Sequence, residues 1–563
     1  MIALPPRLDV PTPTPASLSE IYDHLEAPFE RASTREEILA AVALWDAQRR
    51  KLETWRNLVS LRFRQDTRDA SAREAREYAD ALEPSITARE VAIKRRLLVH
   101  PFRDVLEESY GAQAFRLWAA DARAYAPSLD ELLVRESGLE AEYTRLIGGI
   151  TVEFDGKQMT LAESRGYEHA LDRNVRHAAA NVRWDALAQR GAELDRIFDG
   201  LVAVRDQIGR ALGHPSFVPV GYDRMHRVDY GAEEVARWRD EVVRDVVPLA
   251  AQIVEQSAKA RGYERAMVWD ETALVAGETS PIVDGATIVR ELPAVLGTLD
   301  RRLGTFAELM RDDDHLDVFA REGKGPGAFC TSFPTEGYPF VFASFNGTKD
   351  DVKVLVHEMG HAFQNYSSQR LPLADYLVPT LESAEIDSMS LEFLAWPGLE
   401  RYFGPRTAAF RADHLASALL FLPWGCAIDH FQHLVYAAPG ASPDERRAMW
   451  LEMQRRYLPW RDFGDLAYPA AGNAWQYQLH VYGLPFYYID YTLAQCCALQ
   501  FWAQARRAQD DAVERYVRLC ALGGSRSFRE LVAAAGLESP FDGKALTGVV
   551  AEAKDYLSAA GLI

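Results

Sequence analysis

Residues 349–369 read KDDVKVLVHEMGHAFQNYSSQ. Inside this stretch, His357-Glu358-Met359-Gly360-His361 is an H-E-x-x-H motif. Two histidines spaced i, i+4 on a helix stand one turn apart on one face. That is the geometry two imidazoles need to hold one Zn²⁺. Glu358 lies off the direct ligand line, where a carboxylate can take a proton from water activated by the metal. Val352, Leu355, Val356, Met359 and Phe363 are placed to bury much of the same helix, and a metal site needs such rigid support. Thr348 followed by Asp351 predicts a capping box at the helix start.

Catalytic zinc sites use three protein ligands and leave one position open. Downstream, LESAEIDSMSLEF (residues 381–393) offers Glu382, Glu385, Asp387 and Glu392. On a helix, Glu385, Ser388 and Glu392 share a face. Pro372 and Pro379 precede this stretch and suit a loop between two helices. Spacing alone leaves Glu382 and Glu385 tied as the third ligand. A further cluster, HVYGLPFYYIDY (residues 480–491), gathers a histidine and five aromatics around Gly483 and Pro485. On spacing it reads as aromatic core. Its functional alternative is a set of imidazole and phenol donors for the oxyanion of a tetrahedral intermediate. His430 and His433 read as packed or capping residues, Cys496-Cys497 as core, and Asp312-Asp313-Asp314 as a solvated turn. There is no GxSxG elbow and no phosphate-binding loop.

The whole chain suits a soluble enzyme. Its 563 residues are ample for a deep core and a cleft. Hydrophobic residues at 48% and charged residues at 26% exclude extensive disorder. Lys and Arg total 63 against 82 Asp and Glu, a net charge of −19. Such a chain has no global field to attract nucleic acid or an anionic membrane. No run reaches the ~20 apolar residues of a membrane span. The five cysteines include no CxxC and form neither a disulfide framework nor a thiolate zinc site. With no secretory signal in the first residues, a reducing cytoplasm is the expected location.

Working outward, residues 1–20 are rich in Pro and Thr and read as an extended segment. Residues 21–215 read as a helical region. In Glu36–Arg62, Ile38, Ala41, Leu44, Leu52 and Trp55 fall near a helical period. Asp155-Gly156 between alternating runs predicts a β-hairpin near 150–161. Gly213–Tyr222 reads as a loop and lobe boundary, with the catalytic region at 216–563. Residues 323–347 (GKGPGAFCTSFPTEGYPFVFASFNG) read as short strands and turns, Phe340–Phe345 being the best strand. An extended peptide substrate is expected to pair with it at Phe342–Phe345 by strand addition.

Three stretches resemble the thimet oligopeptidase/oligoendopeptidase F family of zinc metallopeptidases, and most closely its bacterial Pz-peptidase-like oligoendopeptidases. They are FVFASFNGTKDDVKVLVHEMGHAFQNY (340–366), AEIDSMSLEF (384–393) and PFYYIDYTLAQ (485–495). The helical N-terminal half is compatible with the family but less specific. The resemblance implies zinc held by His357, His361 and Glu385, with Glu358 as general base. It separates Glu385 from Glu382, because the family's ligand opens the E-x-x-S pattern seen at Glu385–Ser388. His480 and Tyr491 match the family's His- and Tyr-bearing loop; Tyr487 and Tyr488 compete for a second tyrosine role, with Tyr487 preferred. It also implies a mainly α fold, a two-lobed helical ellipsoid around a deep substrate channel with a small β-sheet near the metal site. The implied activity is endoproteolysis of short unfolded oligopeptides. A scaffold with an idle zinc site and an exopeptidase are the competing readings. The presence of Glu358 argues against the first, and product mapping would separate the second.

Overall fold

A computed structural model describes residues 10–563 and is mainly helical, with two small sheets. The extended segment expected at 1–20 is helical from Pro15, since the first helix spans Pro15–Arg31. Thr14 caps it reciprocally with Ser17, and Pro15 sits in the first turn, where its missing N–H costs nothing. Residues 1–9 lie outside the described residues. The second helix, Arg35–Gln65, opens with a Thr34/Glu37 capping box and buries Ile38, Ala41, Leu52 and Trp55. Leu44, expected on the same face, is instead 45% exposed.

The expected hairpin forms, with β1 (Thr151–Phe154) antiparallel to β2 (Lys157–Thr160). The stretch expected to be loop at Gly213–Tyr222 turns helical again at Val218–Arg224, with Pro219 tolerated in its first turn. Nor does it separate two cores. One hydrophobic cluster runs from Leu18 to Trp118 and takes in Leu373 and Tyr376. A larger one runs from Leu129 to Leu562 and contains Phe217, Val220 and Tyr222. Along the chain, the change from the first of these clusters to the second falls near residue 125.

The second sheet lies directly before the H-E-x-x-H helix. It comprises β3 (Leu316–Phe319), β4 (Phe329–Phe333) and β5 (Tyr338–Phe345) in the order β3-β5-β4. β3 is parallel to β5, and β4 is antiparallel to it. β5 is thus the central strand, paired with β4 over Tyr338–Phe342, while Ala343–Phe345 runs past the start of β4. Of the stretch expected to offer an edge, Phe342 is paired on both sides, whereas Ala343–Phe345 has no β4 partner. β3 itself was hidden in the sequence, because four residues between a helix and a turn carry little periodic signal.

After β5 the chain turns at Asn346-Gly347 and enters the active-site helix, Lys349–Ser368. The predicted Thr348/Asp351 capping box is absent, and Thr348 makes no side-chain cap. Instead the Asp351 carboxylate reaches back to accept from the N–H groups of Asn346 (3.0 Å) and Gly347 (2.7 Å). The acid still satisfies orphan donors at the positive end of the helix. Val352, Leu355, Val356, Met359 and Phe363 are buried as the pattern predicts.

Candidate active site

The H-E-x-x-H helix packs on a second helix, Leu381–Leu394. Gly360 makes their approach possible. A Cβ there would lie 2.6 Å from both the Asp387 carbonyl oxygen and Ser388 Cα. Only hydrogen fits, so the second helix comes close enough for Glu385 to reach the histidines. Glu385 Oε2 lies 3.3 Å from His357 Nε2 and 3.5 Å from His361 Nε2. Potential ligand atoms of all three residues fall within 4.8 Å of one another. Ser388 Oγ donates to the same Glu385 oxygen at 2.9 Å, which gives the E-x-x-S spacing a physical role. The two imidazoles are about one-fifth exposed and Glu385 is 6% exposed, so the cluster is recessed yet reachable.

The electrostatics suit a cation. Against burial, His361 and His357 hold the Glu385 carboxyl well below its usual range. Against burial likewise, hydrogen bonds donated to Glu385 and Glu392 hold the His357 imidazole well above its own. Glu358 stands beside this cluster. Burial pushes its carboxyl upward, against the attraction of His357 and His361. The Cys330 N–H bonds it from β4, and its Oε2 is buried without a partner. Two imidazole nitrogens, one carboxylate and an unpaired buried carboxylate oxygen fit a catalytic metal centre.

The loop and helix around residues 480–491 close the other side. The ring centroid of His480 lies 5.5 Å from that of Tyr487, 5.2 Å from Tyr488 and 5.8 Å from Tyr491. Tyr487 Oη donates to Glu385 Oε1 at 2.9 Å and is hydrogen-bonded to Tyr491. Tyr488 Oη instead accepts from Trp424 Nε1 at 3.2 Å. Gln478 Nε2 lies 3.1 Å from His480 Nδ1. An amide N–H donated there places the His480 proton on Nε2. Burial pushes His480 down to about 4, so it is a neutral donor near pH 7. A cavity of about 360 Å³ opens here, lined by Lys353, Met389, Phe421, His480, Tyr488 and Tyr491 among others.

The Peptidase M3 N-terminal domain family matches residues 7–125, and Peptidase family M3 matches residues 305–549. Solved structures agree along the whole chain. One, assigned as an oligoendopeptidase F, shares 38% identity with a TM-score of 0.95, and the match covers 98% of each chain. A PZ peptidase A crystallised with an inhibitor shares 36% at a TM-score of 0.95, covering 98% of this chain and 99% of its own. An assigned oligoendopeptidase F from Bacillus anthracis str. Ames shares 36% at a TM-score of 0.90, covering 98% of both. The chain belongs to peptidase family M3. It is a metalloendopeptidase of that family, and its mainly helical fold with small sheets is the one those structures share. No curated protein matches it.

In this M3 peptidase the remaining sequence candidates go elsewhere. Glu382 is buried away from the metal cluster, with Oε1 accepting from Thr380 Oγ1 at 3.0 Å. Asp387 faces Cys520. His430 and His433 bond to the hydroxyls of Tyr457 and Tyr222, as packed residues do. Glu392, one of the acids on the ligand face, is not in the cluster but accepts from His357 Nδ1 at 2.7 Å. Sequence reasoning missed two contributors. His414, on the helix Thr407–Ala437, meets the other Glu392 oxygen at 2.9 Å. Phe486 adopts φ 69°, a left-handed conformation that strains a non-glycine residue. Its N–H donates to Gln432 Oε1 at 3.1 Å and its carbonyl accepts from Arg227, which together impose the bend that turns Tyr487 inward. No local signal marks either residue.

Proposed function

We propose that this M3 peptidase is a zinc-dependent oligoendopeptidase that hydrolyses internal bonds of short unfolded peptides. The carrying observation is the convergence of His357, His361 and Glu385 beside the unpartnered carboxylate oxygen of Glu358. Two imidazoles and a carboxylate favour Zn²⁺ and leave a coordination position open. When bound, the ion acts as a Lewis acid that polarises the scissile carbonyl and makes water easier to deprotonate.

The chain's own residues supply the proton traffic. Glu358 accepts the proton of the attacking water and passes it to the leaving amine. Its raised pKa, caused first by burial, suits a group that must both take and return a proton. His480, with its proton on Nε2, and the Tyr491 hydroxyl donate to the developing oxyanion, an effect worth about 3 kcal/mol per donor. Tyr487 orients Glu385 through its hydrogen bond. We place an extended peptide along Ala343–Phe345, the end of β5 that has no β4 partner. The recessed cluster suits a channel that admits loose chains and excludes folded ones. All five cysteines are free thiols, which fits a reducing cytoplasm. Among the described residues no helix is long and apolar enough to cross a membrane.

The test is cleavage of a terminally blocked, quenched peptide of about ten residues, a length suited to a cleft. It runs beside a folded protein, with and without a zinc chelator. Chelator-sensitive internal cleavage with the folded protein spared is expected. Absence of cleavage by zinc-loaded enzyme across varied peptides would overturn the assignment.

A further inference from the structure

We infer that His414 and Trp396 are positioning residues for the metal site, holding His357 in the tautomer that leaves Nε2 free for the ion. The inference rests on the proposal that His357, His361 and Glu385 bind the metal.

The argument starts from a group that can only donate. An indole N–H has no acceptor capacity. Trp396 Nε1 lies 3.1 Å from His414 Nδ1. That nitrogen must therefore carry a lone pair, and the proton of the His414 ring must sit on Nε2. His414 Nε2 is 2.9 Å from Glu392 Oε2 and donates to it. The other oxygen, Glu392 Oε1, lies 2.7 Å from His357 Nδ1. A carboxylate accepts, so His357 Nδ1 carries the proton. That leaves Nε2, the nitrogen that faces Glu385, as the one whose lone pair is given to the ion when it binds.

The opposite tautomer of His414 would set two N–H groups against each other. It would also turn a lone pair toward the Glu392 carboxylate. Both faults would lie in a buried site, where Glu392, His414 and Trp396 are 5%, 6% and 7% exposed and water has little room to compensate. The ring cannot readily turn, because Phe393 stacks on it at 4.4 Å and 11°. Lys353 Nζ lies 3.8 Å from the same Glu392 carboxylate. Outer partners of metal-bound histidines fix ring orientation and tautomer, and losing one costs about 10- to 100-fold in metal affinity. Here the chain of partners extends two residues beyond the first carboxylate.

The experiment is a competition titration of the metal-free full chain with zinc and a chromophoric chelator. Wild type comes first. If it fails to bind one zinc per chain, the metal assignment itself fails, before any variant is made. Given wild-type binding, His414→Leu should weaken zinc affinity by about 10- to 100-fold. His414→Gln, which keeps a donor near the Nε2 position, should lose clearly less. Trp396→Phe, which removes the indole donor together with part of the ring, should weaken affinity several-fold. In a Glu392→Leu background, where the link to His357 is already cut, Trp396→Phe should add less than about twofold.

A merely structural role predicts a different pattern. Losses would follow the thermal stability of the metal-free variants, and the Trp396→Phe loss would be the same in both backgrounds. Either of those results overturns the inference, as does wild-type affinity in Trp396→Phe. Should His414→Leu not fold, the Trp396→Phe pair decides alone.

Discussion

Glu358 and Glu385 are both carboxylates beside the same two histidines, yet they should fail differently. Glu358→Gln keeps the shape of the side chain and removes its basicity. Zinc content measured by metal analysis should stay at one per chain, while kcat falls by about 10²-fold or more. Loss of zinc in that variant would mean that Glu358 is a ligand. Glu385→Ala removes one of three ligands and should abolish stoichiometric zinc. Glu382→Ala should retain it, because Glu382 is hydrogen-bonded to Thr380 outside the cluster. Normal metal in Glu385→Ala with loss in Glu382→Ala would reverse the assignment. Tyr491→Phe deletes a donor that acts as charge develops. It should lower kcat by about 10²-fold with little change in KM, read from steady-state kinetics on a blocked peptide.

Between elements, the decisive contact is the crossing of the helices Lys349–Ser368 and Leu381–Leu394. Gly360 sits at that crossing with backbone of the partner helix 2.6 Å from where a Cβ would stand. Gly360→Ala raises helix propensity, a gain of about 1 kcal/mol in an open helix. Here overpacking should win, at a cost of about 1–3 kcal/mol, because the obstruction is backbone and not a mobile side chain. The ligand helix must shift outward and carry Glu385 with it. Lower stability in urea unfolding together with weaker zinc binding is expected; unchanged zinc affinity would show that the crossing has slack. The same logic governs β5. Its aromatic text announces a strand, but only pairing with β3 and β4 makes it central over Tyr338–Phe342 and leaves Ala343–Phe345 without a β4 partner.

Across the molecule, the N-terminal core is held to the body partly through buried charge. Asp121 accepts from Lys94 Nζ and meets His226 Nε2, both at 2.7 Å. Against burial, which raises it, the hydrogen bond with His226 and the Lys94 charge bring its pKa from 3.8 to about 2. A carboxyl lowered in the folded state adds stability above its unfolded pKa and loses it as pH falls through the folded value. The contribution is about 2 kcal/mol near neutral pH. Asp121→Asn should therefore be less stable than wild type by about that amount at pH 7, with the gap closing between about pH 4 and pH 2. Urea unfolding of both proteins across that range checks it, and a gap that persists at pH 2 would contradict it.

The sequence by itself determined the H-E-x-x-H helix, its two histidines and the glutamate proposed as general base. Those depend on spacing along one helix, where i and i+4 are neighbours whatever the rest of the chain does. It also marked the second helix and the aromatic loop, and its resemblance to known peptidases favoured Glu385. Other features depend on which faces of distant elements touch. Spacing could not separate Glu382 from Glu385, since the two lie less than one turn apart. Nor could it show Tyr487 turned onto Glu385, a result of the Phe486 bend imposed by Gln432 and Arg227. His414 and Trp396 carry no local signal at all. They come near His357 only because the helix Thr407–Ala437 packs His414 against Glu392. Hydrogen bonds between helices are set by packing geometry, and that geometry exists only in the folded chain.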